Sequence, residues 1–321
     1  MNSLYGALIG DAAGATLEFY TEGPLTEEVV QRAMRMPGGG SLRVGPGQIT
    51  DDGELTLALL RSLSATDDHA SERNRVNEII HGYAAWYESM PFDIGRTCSM
   101  AFEELALLGD PSMYSLQDIE APIAELNRTS EANGALMRAS AIATWGALHH
   151  VPFEGVLRIA KQDARLSHPS TVCQEVNAVY VFAVCRLLCG IPPSIVLQET
   201  TAYVDQQVTS EHVKHWFHHE SLDIEGLTVT QQCGHVRWAF VMAFYFLRHP
   251  EIRFEEAIAQ VLLKGGDTDT NAAIVGGMVG AYQSIPVWML GPVMGFDATT
   301  CTGRHGRRRP RAYCPKYVLS E

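Results

Sequence analysis

Apolar residues recur at helical spacing along most of this chain, and no convincing run alternates in the way a half-buried strand requires. Leu4, Ala7, Leu8, Ala12 and Ala15 mark one helix; Leu55, Leu59, Leu60 and Leu63 mark a second; Val76, Ile79, Ile80, Tyr83 and Trp86 mark a third. Further helices are expected over 97–108, 135–149, 155–165, 170–189, 194–206, 234–248, 255–264 and 270–284. Pro37-Gly38-Gly39-Gly40, Pro46-Gly47, Pro91, Pro111, Pro192-Pro193 and Pro286 fall where turns belong. Stripes of this kind are buried by packing helix on helix. The expected fold is all-α and compact, one domain over residues 1–296, followed by a basic C-terminal tail over 297–321.

A hydrophobic fraction of 46% with 19% charged residues is that of a folded chain, and the length allows a substantial core. The formal charge of −13 excludes a general nucleic-acid surface, which needs clustered Lys and Arg. Six of the 24 basic residues but only two of the 37 acidic ones lie in 297–321, leaving 18 against 35 in residues 1–296. Such a tail reads as a solvated, mobile end. The sharper alternative is a segment folded over the acidic body, or one meeting a diphosphate or an acidic partner.

Seven Cys residues with no Cys-x-x-Cys pair fit neither a disulfide framework nor a zinc site. Cys185 and Cys189, one turn apart in an apolar stretch, are expected to be buried. A reducing, cytoplasmic setting is the matching expectation. Residues 272–296 carry no charge over a length that could span a bilayer. Their glycines and prolines argue instead for a buried helix that ends before Pro286 and gives way to a loop, so no membrane span is expected. Residues 207–233, rich in His, Glu and Gln, are expected to be a surface excursion.

Two acidic clusters, Thr50-Asp51-Asp52 and Asp267-Thr268-Asp269-Thr270, each stand where a loop passes into an apolar helix. Ordinary N-caps account for Asp and Thr at such places, and the helix dipole favours acids there. A cap needs one acceptor at one position, however, and these clusters set like charges side by side. Oxygen ligands of this kind suit Mg²⁺ or Mn²⁺ better than zinc. Gly265-Gly266 lets the backbone turn sharply before the second cluster and come close to a ligand. Glu18 follows Asp11 by seven residues, about two turns, which places both on one face of a continuous helix.

Five segments resemble, in order, the motifs of the ADP-ribosylglycohydrolases, a family that includes the dinitrogenase reductase-activating glycohydrolases. They are Gly6-Ala7-Leu8-Ile9-Gly10-Asp11-Ala12-Ala13-Gly14 with Glu18 beyond, Gly47-Gln48-Ile49-Thr50-Asp51-Asp52, Asn133-Gly134-Ala135-Leu136-Met137-Arg138, Ser167-His168-Pro169, and Gly265-Gly266-Asp267-Thr268-Asp269-Thr270-Asn271-Ala272-Ala273. The resemblance runs from Gly6 to about Pro292. It implies a multi-helix bundle with a metal site at the mouth of a central cleft. It also implies a hydrolase that releases ADP-ribose from a modified protein side chain or small conjugate by cleavage at the anomeric ribose carbon.

On this resemblance Thr50, Asp51, Asp52, Asp267, Asp269 and Thr270 hold two divalent ions, Mg or Mn. Glu18 is a mobile general acid or base, and Asp52 and Asp267 are also catalytic. Asn133, Gly134, Ala135 and Leu136 meet the diphosphate of ADP-ribose at a helix start, and Ser167 and His168 meet a ribose or phosphate. Arg138 is either a structural ion pair or part of the phosphate field, and Asp11 supports a neighbouring loop. Many family members have Thr after the second Asp, where this chain has Gly53-Glu54. Gly53 is read as added flexibility and Glu54 as a further carboxylate beside the metals. A monomer is expected, and a nucleic-acid acceptor stays open. Two rival readings remain: a catalytically inactive ADP-ribose-binding or structural relative, and a metal-dependent phosphohydrolase.

Overall fold

The computed structural model describes residues 1–66 and 70–319. Among them are sixteen α-helices and no strand, only two isolated bridges, Gly39 with Val44 and Ala132 with His235. In chain order the helices are α1 (Asn2–Gly14), α2 (Glu27–Ala33), α3 (Asp51–Ser64), α4 (Glu72–Glu88), α5 (Arg96–Leu107), α6 (Leu116–Leu126), α7 (Ser140–Leu148) and α8 (Phe153–Arg165). Then come α9 (Thr171–Leu188), α10 (Pro193–Gln207), α11 (Glu211–His218), α12 (Val236–Arg248), α13 (Phe254–Lys264), α14 (Thr268–Gly280), α15 (Val287–Gly295) and α16 (Pro315–Val318).

The seam between α1 and α14 sets the architecture. Gly6, Gly10 and Gly14 recur every four residues and so share one face of α1. A Cβ added at Gly6 would stand 2.1 Å from the Gly276 carbonyl oxygen, one at Gly10 2.0 Å from that of Ala272, and one at Gly14 2.4 Å from Asp269 Cα. Backbone therefore lies directly on backbone. Every residue of α14 is buried, and α12, α13, α9 and α7 pack around it. This contact delivers the end of α1 to the start of α14, and with it the residues near Asp11 to those near Asp269.

Most expected helices appear within two residues of their expected ends, but several expectations are corrected. The 207–233 excursion contains α11, whose Val213, Trp216 and Phe217 are buried at i, i+3, i+4 spacing. Pro286 is followed by helix α15, because proline is tolerated where a helix begins. Regular helix over 135–149 starts only at Ser140, since the Asn133 carbonyl accepts from both Leu136 and Met137 in a tighter turn. Cys185 is buried but Cys189, beyond the end of α9, is exposed. One described helix, Thr171–Leu188, is long and apolar enough to cross a membrane by composition; 78% of it is buried inside the fold, as in a core helix.

The basic tail is not a solvated end. Its Arg309 is buried and pairs with Glu54 on α3, while α16 packs against α3 and α15.

Candidate active site

Across the fold, serine and threonine at helix starts do what the capping rule requires. Thr26, Ser71, Ser115, Ser170 and Ser210 each accept a hydrogen bond from the backbone N–H three residues on. Thr50 and Asp267 occupy the same position before α3 and α14, yet neither makes a side-chain cap. At α3 the cap comes from another helix. Asp11 accepts the N–H of Thr50 at 3.0 Å and that of Gly53 at 2.8 Å, and the Thr50 hydroxyl donates to Asp11 Oδ1 at 2.9 Å. Gly53 is what admits this carboxylate, for a Cβ there would stand 2.6 Å from Asp11 Oδ2. Its role is room, not the flexibility read from the sequence.

The second cluster faces the first. Thr268 donates from its hydroxyl to the Gly14 carbonyl at 2.9 Å, fixing the start of α14 to the end of α1. Carboxylate oxygens of Asp11, Asp52 and Asp269 lie within 4.8 Å of one another, and so do those of Glu18, Asp93 and Asp269. The Thr270 hydroxyl bonds Asp52, and Asn133 Nδ2 donates to Asp267 Oδ2 at 2.8 Å. Asp51 accepts the Gly95 N–H at 3.3 Å and lies beside Asp93. Glu18 does not share a helical face with Asp11: α1 ends at Gly14, and Glu18 sits in the turns beyond, from which its carboxyl still reaches Asp269.

Burial and mutual repulsion push these carboxyls upward. Asp51, Asp52 and Asp269 stand well above the ordinary carboxylate range, chiefly because they are desolvated and then because negative neighbours surround them. Glu18 is raised to about 8 by burial, then by Asp93 and Asp267, and Asp11 to about 7 by burial against its backbone donors. Asp52 Oδ1 and Glu18 Oε2 are buried with no hydrogen-bond partner. Unpartnered oxygens among crowded acids are what a bound divalent cation would satisfy, so the residues present fit such a group.

Asp93 is the member that sequence reasoning missed. Its only signal was an acid set between Phe92 and Ile94 in a loop bounded by Pro91 and Gly95. Glu54, by contrast, is turned away from the cluster and accepts from Arg309 and Trp86 Nε1.

Gly134, Ala135 and Leu136 are buried beneath the cluster in turns rather than at a helix start, and Asn133 spends its amide on Asp267. Arg138 resolves as a structural ion pair: wholly buried, it donates to Asp163 Oδ2 at 3.0 Å, to the Gly134 carbonyl at 2.7 Å and to the Ser167 hydroxyl at 2.8 Å. Ser167 Oγ lies 2.9 Å from His168 Nδ1. Burial, helped by the positive Arg138, lowers His168 to about 3 and keeps the ring neutral. Its Nε2 is buried without a partner, close under Gly134. A cavity of about 500 Å³ adjoins the Glu18 segment, walled by Thr16, Leu17, Phe19, Tyr20, Arg32 and Gly40 among others. None of the clustered carboxylates lines it.

Carboxylates and hydroxyls gathered in this way, most of them at the starts of two helices, could hold a divalent cation in an all-helical fold. The chain belongs to the ADP-ribosylglycohydrolase family, whose model matches residues 1–304, and it is accordingly a glycosidic-bond hydrolase. It is 30% identical over 291 residues to the ADP-ribosyl-[dinitrogen reductase] glycohydrolase of Rhodospirillum rubrum, covering 89% of this chain and 85% of that one. It is 26% identical over 339 residues to the ADP-ribosylhydrolase ARH3 of Mus musculus, covering 92% and 87%. A solved structure described as an ADP-ribosylglycohydrolase-related protein complex matches with a TM-score of 0.67 over 99% of this chain and 95% of that chain; at 24% identity the likeness is one of fold.

Proposed function

We propose that this hydrolase removes ADP-ribose from a modified protein side chain or small conjugate by cleaving the bond at the anomeric ribose carbon. In this reading Thr50, Asp51, Asp52, Asp267, Asp269 and Thr270 hold two Mg²⁺ or Mn²⁺ ions. The observation that carries it is the pair of helix starts whose Thr50 and Asp267 leave the capping role unused and join a shared carboxylate cluster. A scaffold would gain nothing from crowding buried acids.

The ions, when bound, would polarise the ribose hydroxyls and lower the pKa of a water. The chain's own groups do the rest. Glu18, held toward its protonated form, gives its proton to the departing acceptor atom and then takes one from the incoming water. Asp52 and Asp267 orient the reacting ribose, with Asp267 fixed in turn by Asn133. The carboxylates, Asp93 included, would offset the charge of the ions and so lessen the repulsion felt by the oxocarbenium-like positive charge that develops on the sugar. Neutral His168 and Ser167 are wholly buried beneath the Gly134 turn, so any part they play toward the ribose or phosphate of the substrate is through that turn.

The test is release of ADP-ribose from separately prepared arginine-, serine- and acetyl-linked substrates, with Mg²⁺, with Mn²⁺ and with chelator. Metal-dependent release from one of them supports the reading and names the acceptor. Inorganic phosphate as the product, or no turnover of any substrate, overturns it.

A further inference from the structure

The segment after residue 304, beyond the stretch that the family model matches, is tied through two arginines to elements that lead into the carboxylate cluster. The buried Arg309 guanidinium donates to both oxygens of Glu54, Nε to Oε1 and Nη2 to Oε2, each at 2.8 Å. It also donates to the carbonyls of Ser89 at 3.0 Å and Met90 at 3.2 Å, and to the Ser89 hydroxyl at 2.8 Å. Both elements it joins lead into the site. Glu54 lies on the first turn of α3, two residues after Asp52. Met90 leads into the loop that carries Asp93 and ends at Gly95, whose N–H bonds Asp51.

Arg307 holds a third approach. Its N–H donates to Gln48 Oε1 at 2.8 Å, and Gln48 Nε2 donates back to the Arg307 carbonyl at 2.6 Å. Gln48 Oε1 accepts the Gly45 N–H as well, at 2.9 Å, so one side chain closes the loop that runs into Thr50 and ties it to the tail. Arg307 Nε further donates to the Leu42 carbonyl at 2.8 Å.

We propose that residues 306–309 form a strap and that Arg309 is a positioning residue for the reaction, setting loops 45–50 and 89–95 so that Asp51, Asp52 and Asp93 converge. This rests on the reading of the cluster as a divalent-cation site. A buried Arg–Glu pair is by itself a weak source of stability, and an apolar pair of similar volume would pack as well. An apolar pair could not also bond the Ser89 and Met90 carbonyls, and lysine, with three donors and no planar fork, could not make those bonds together with the paired contact to both Glu54 oxygens. The bonding pattern therefore matches a tie between segments better than a neutralised charge.

The test compares wild type with Arg309→Met, Arg309→Lys, Gln48→Ala and the double variant Arg309→Met/Glu54→Met. Amide hydrogen exchange over 45–50 and 89–95 is read in metal-free protein, and Mn²⁺ affinity by calorimetry well below the melting temperature. Both Arg309 single variants should exchange faster over 89–95 and bind Mn²⁺ at least about 10-fold more weakly, the scale seen when groups orienting metal ligands are removed. The double variant, with no stranded carboxylate, should regain melting temperature while keeping fast exchange and weak Mn²⁺ binding. Gln48→Ala should loosen 45–50 with little change in melting, which decides the matter if the Arg309 variants do not fold. Wild-type exchange and affinity in the double variant, or unchanged exchange in Gln48→Ala, overturns the strap. If wild type itself binds no Mn²⁺, the cation reading falls and the exchange data alone decide whether the strap holds the loops.

Discussion

Asp11 accepts the backbone N–H of Gly53 at 2.8 Å, so the first turn of α3 is capped by a residue of α1. A cap supplied from another helix leaves Thr50 and Asp52 to face the cluster, and it makes the geometry of α3 depend on the packing of α1.

Replacing Asp11 by Ala strands the N–H groups of Thr50 and Gly53 inside the protein. Each buried unpaired donor costs about 1–3 kcal/mol. Asp11→Ala should therefore lower urea-unfolding stability by about 2 kcal/mol or more and depress turnover in the folded fraction. Gly53→Ala attacks the same contact from the other side, and overpacking should cost about 1–3 kcal/mol. Wild-type stability in both variants would show that the contact contributes little.

The raised carboxyls set the pH dependence of the metal-free protein. Asp11 at about 7 and Glu18 at about 8 bind protons in the folded chain that they lose in the unfolded one, where their values fall back to about 3.9–4.3. Folding is then linked to proton uptake, so stability falls as pH rises from about 4 to about 8. Buried neutral His168 acts oppositely, losing stability as pH drops from its ordinary value toward about 3. Two lowered imidazoles, His168 and His235, stand against the raised cluster carboxyls Asp11, Glu18, Asp51, Asp52, Asp93 and Asp269, and the net slope should be downward with pH. Melting temperatures in chelator should fall between pH 5 and 8, and excess Mn²⁺ should flatten that fall. A rising curve in chelator would contradict the assignment.

Glu18→Gln removes the proton donor while keeping its size and leaving the other carboxylates in place. A drop in kcat of about 10²–10⁴-fold is the range for a lost general acid. Mn²⁺ content, measured by elemental analysis, should stay within about a factor of two, because Thr50, Asp51, Asp52, Asp267, Asp269 and Thr270 are untouched and the glutamine keeps one oxygen that can face the cluster. Normal kcat would return Glu18 to a bystander role.

Asp93 is one of the negative charges that hold Glu18 upward. Asp93→Asn should therefore shift the high-pH limb of kcat to lower pH, because Glu18 would lose its proton sooner. An unmoved limb would mean that the two side chains are not coupled during turnover.

How much of this was legible in the sequence follows from what each signal measures. Helical stripes such as Val76, Ile79, Ile80 and Tyr83 report burial directly, so the all-helical fold could be read. The stripe in α11 carries the same pattern at Val213, Trp216 and Phe217, but the surrounding His and Glu residues hid it. Crowded acids at Thr50–Asp52 and Asp267–Thr270 announced themselves by their density. Asp93 did not, because a single acid in a loop has no pattern; it becomes meaningful only once α3 and α14 bring other carboxylates to it. For the basic tail the reading left a solvated end and a segment folded over the acidic body both open; the second is what Arg309 does, but its partner, Glu54, lies 255 residues away and no local pattern names it.

The glycine seam between α1 and α14 also fixes when in the life of the protein the centre can exist. During synthesis Asp11 emerges more than 250 residues before Asp267 and Asp269, so a nascent chain carries half a site until α14 is made. No N-terminal fragment ending before α14 can acquire the centre. On the proposed reading, activity should appear only after α14 has been made and packed against α1.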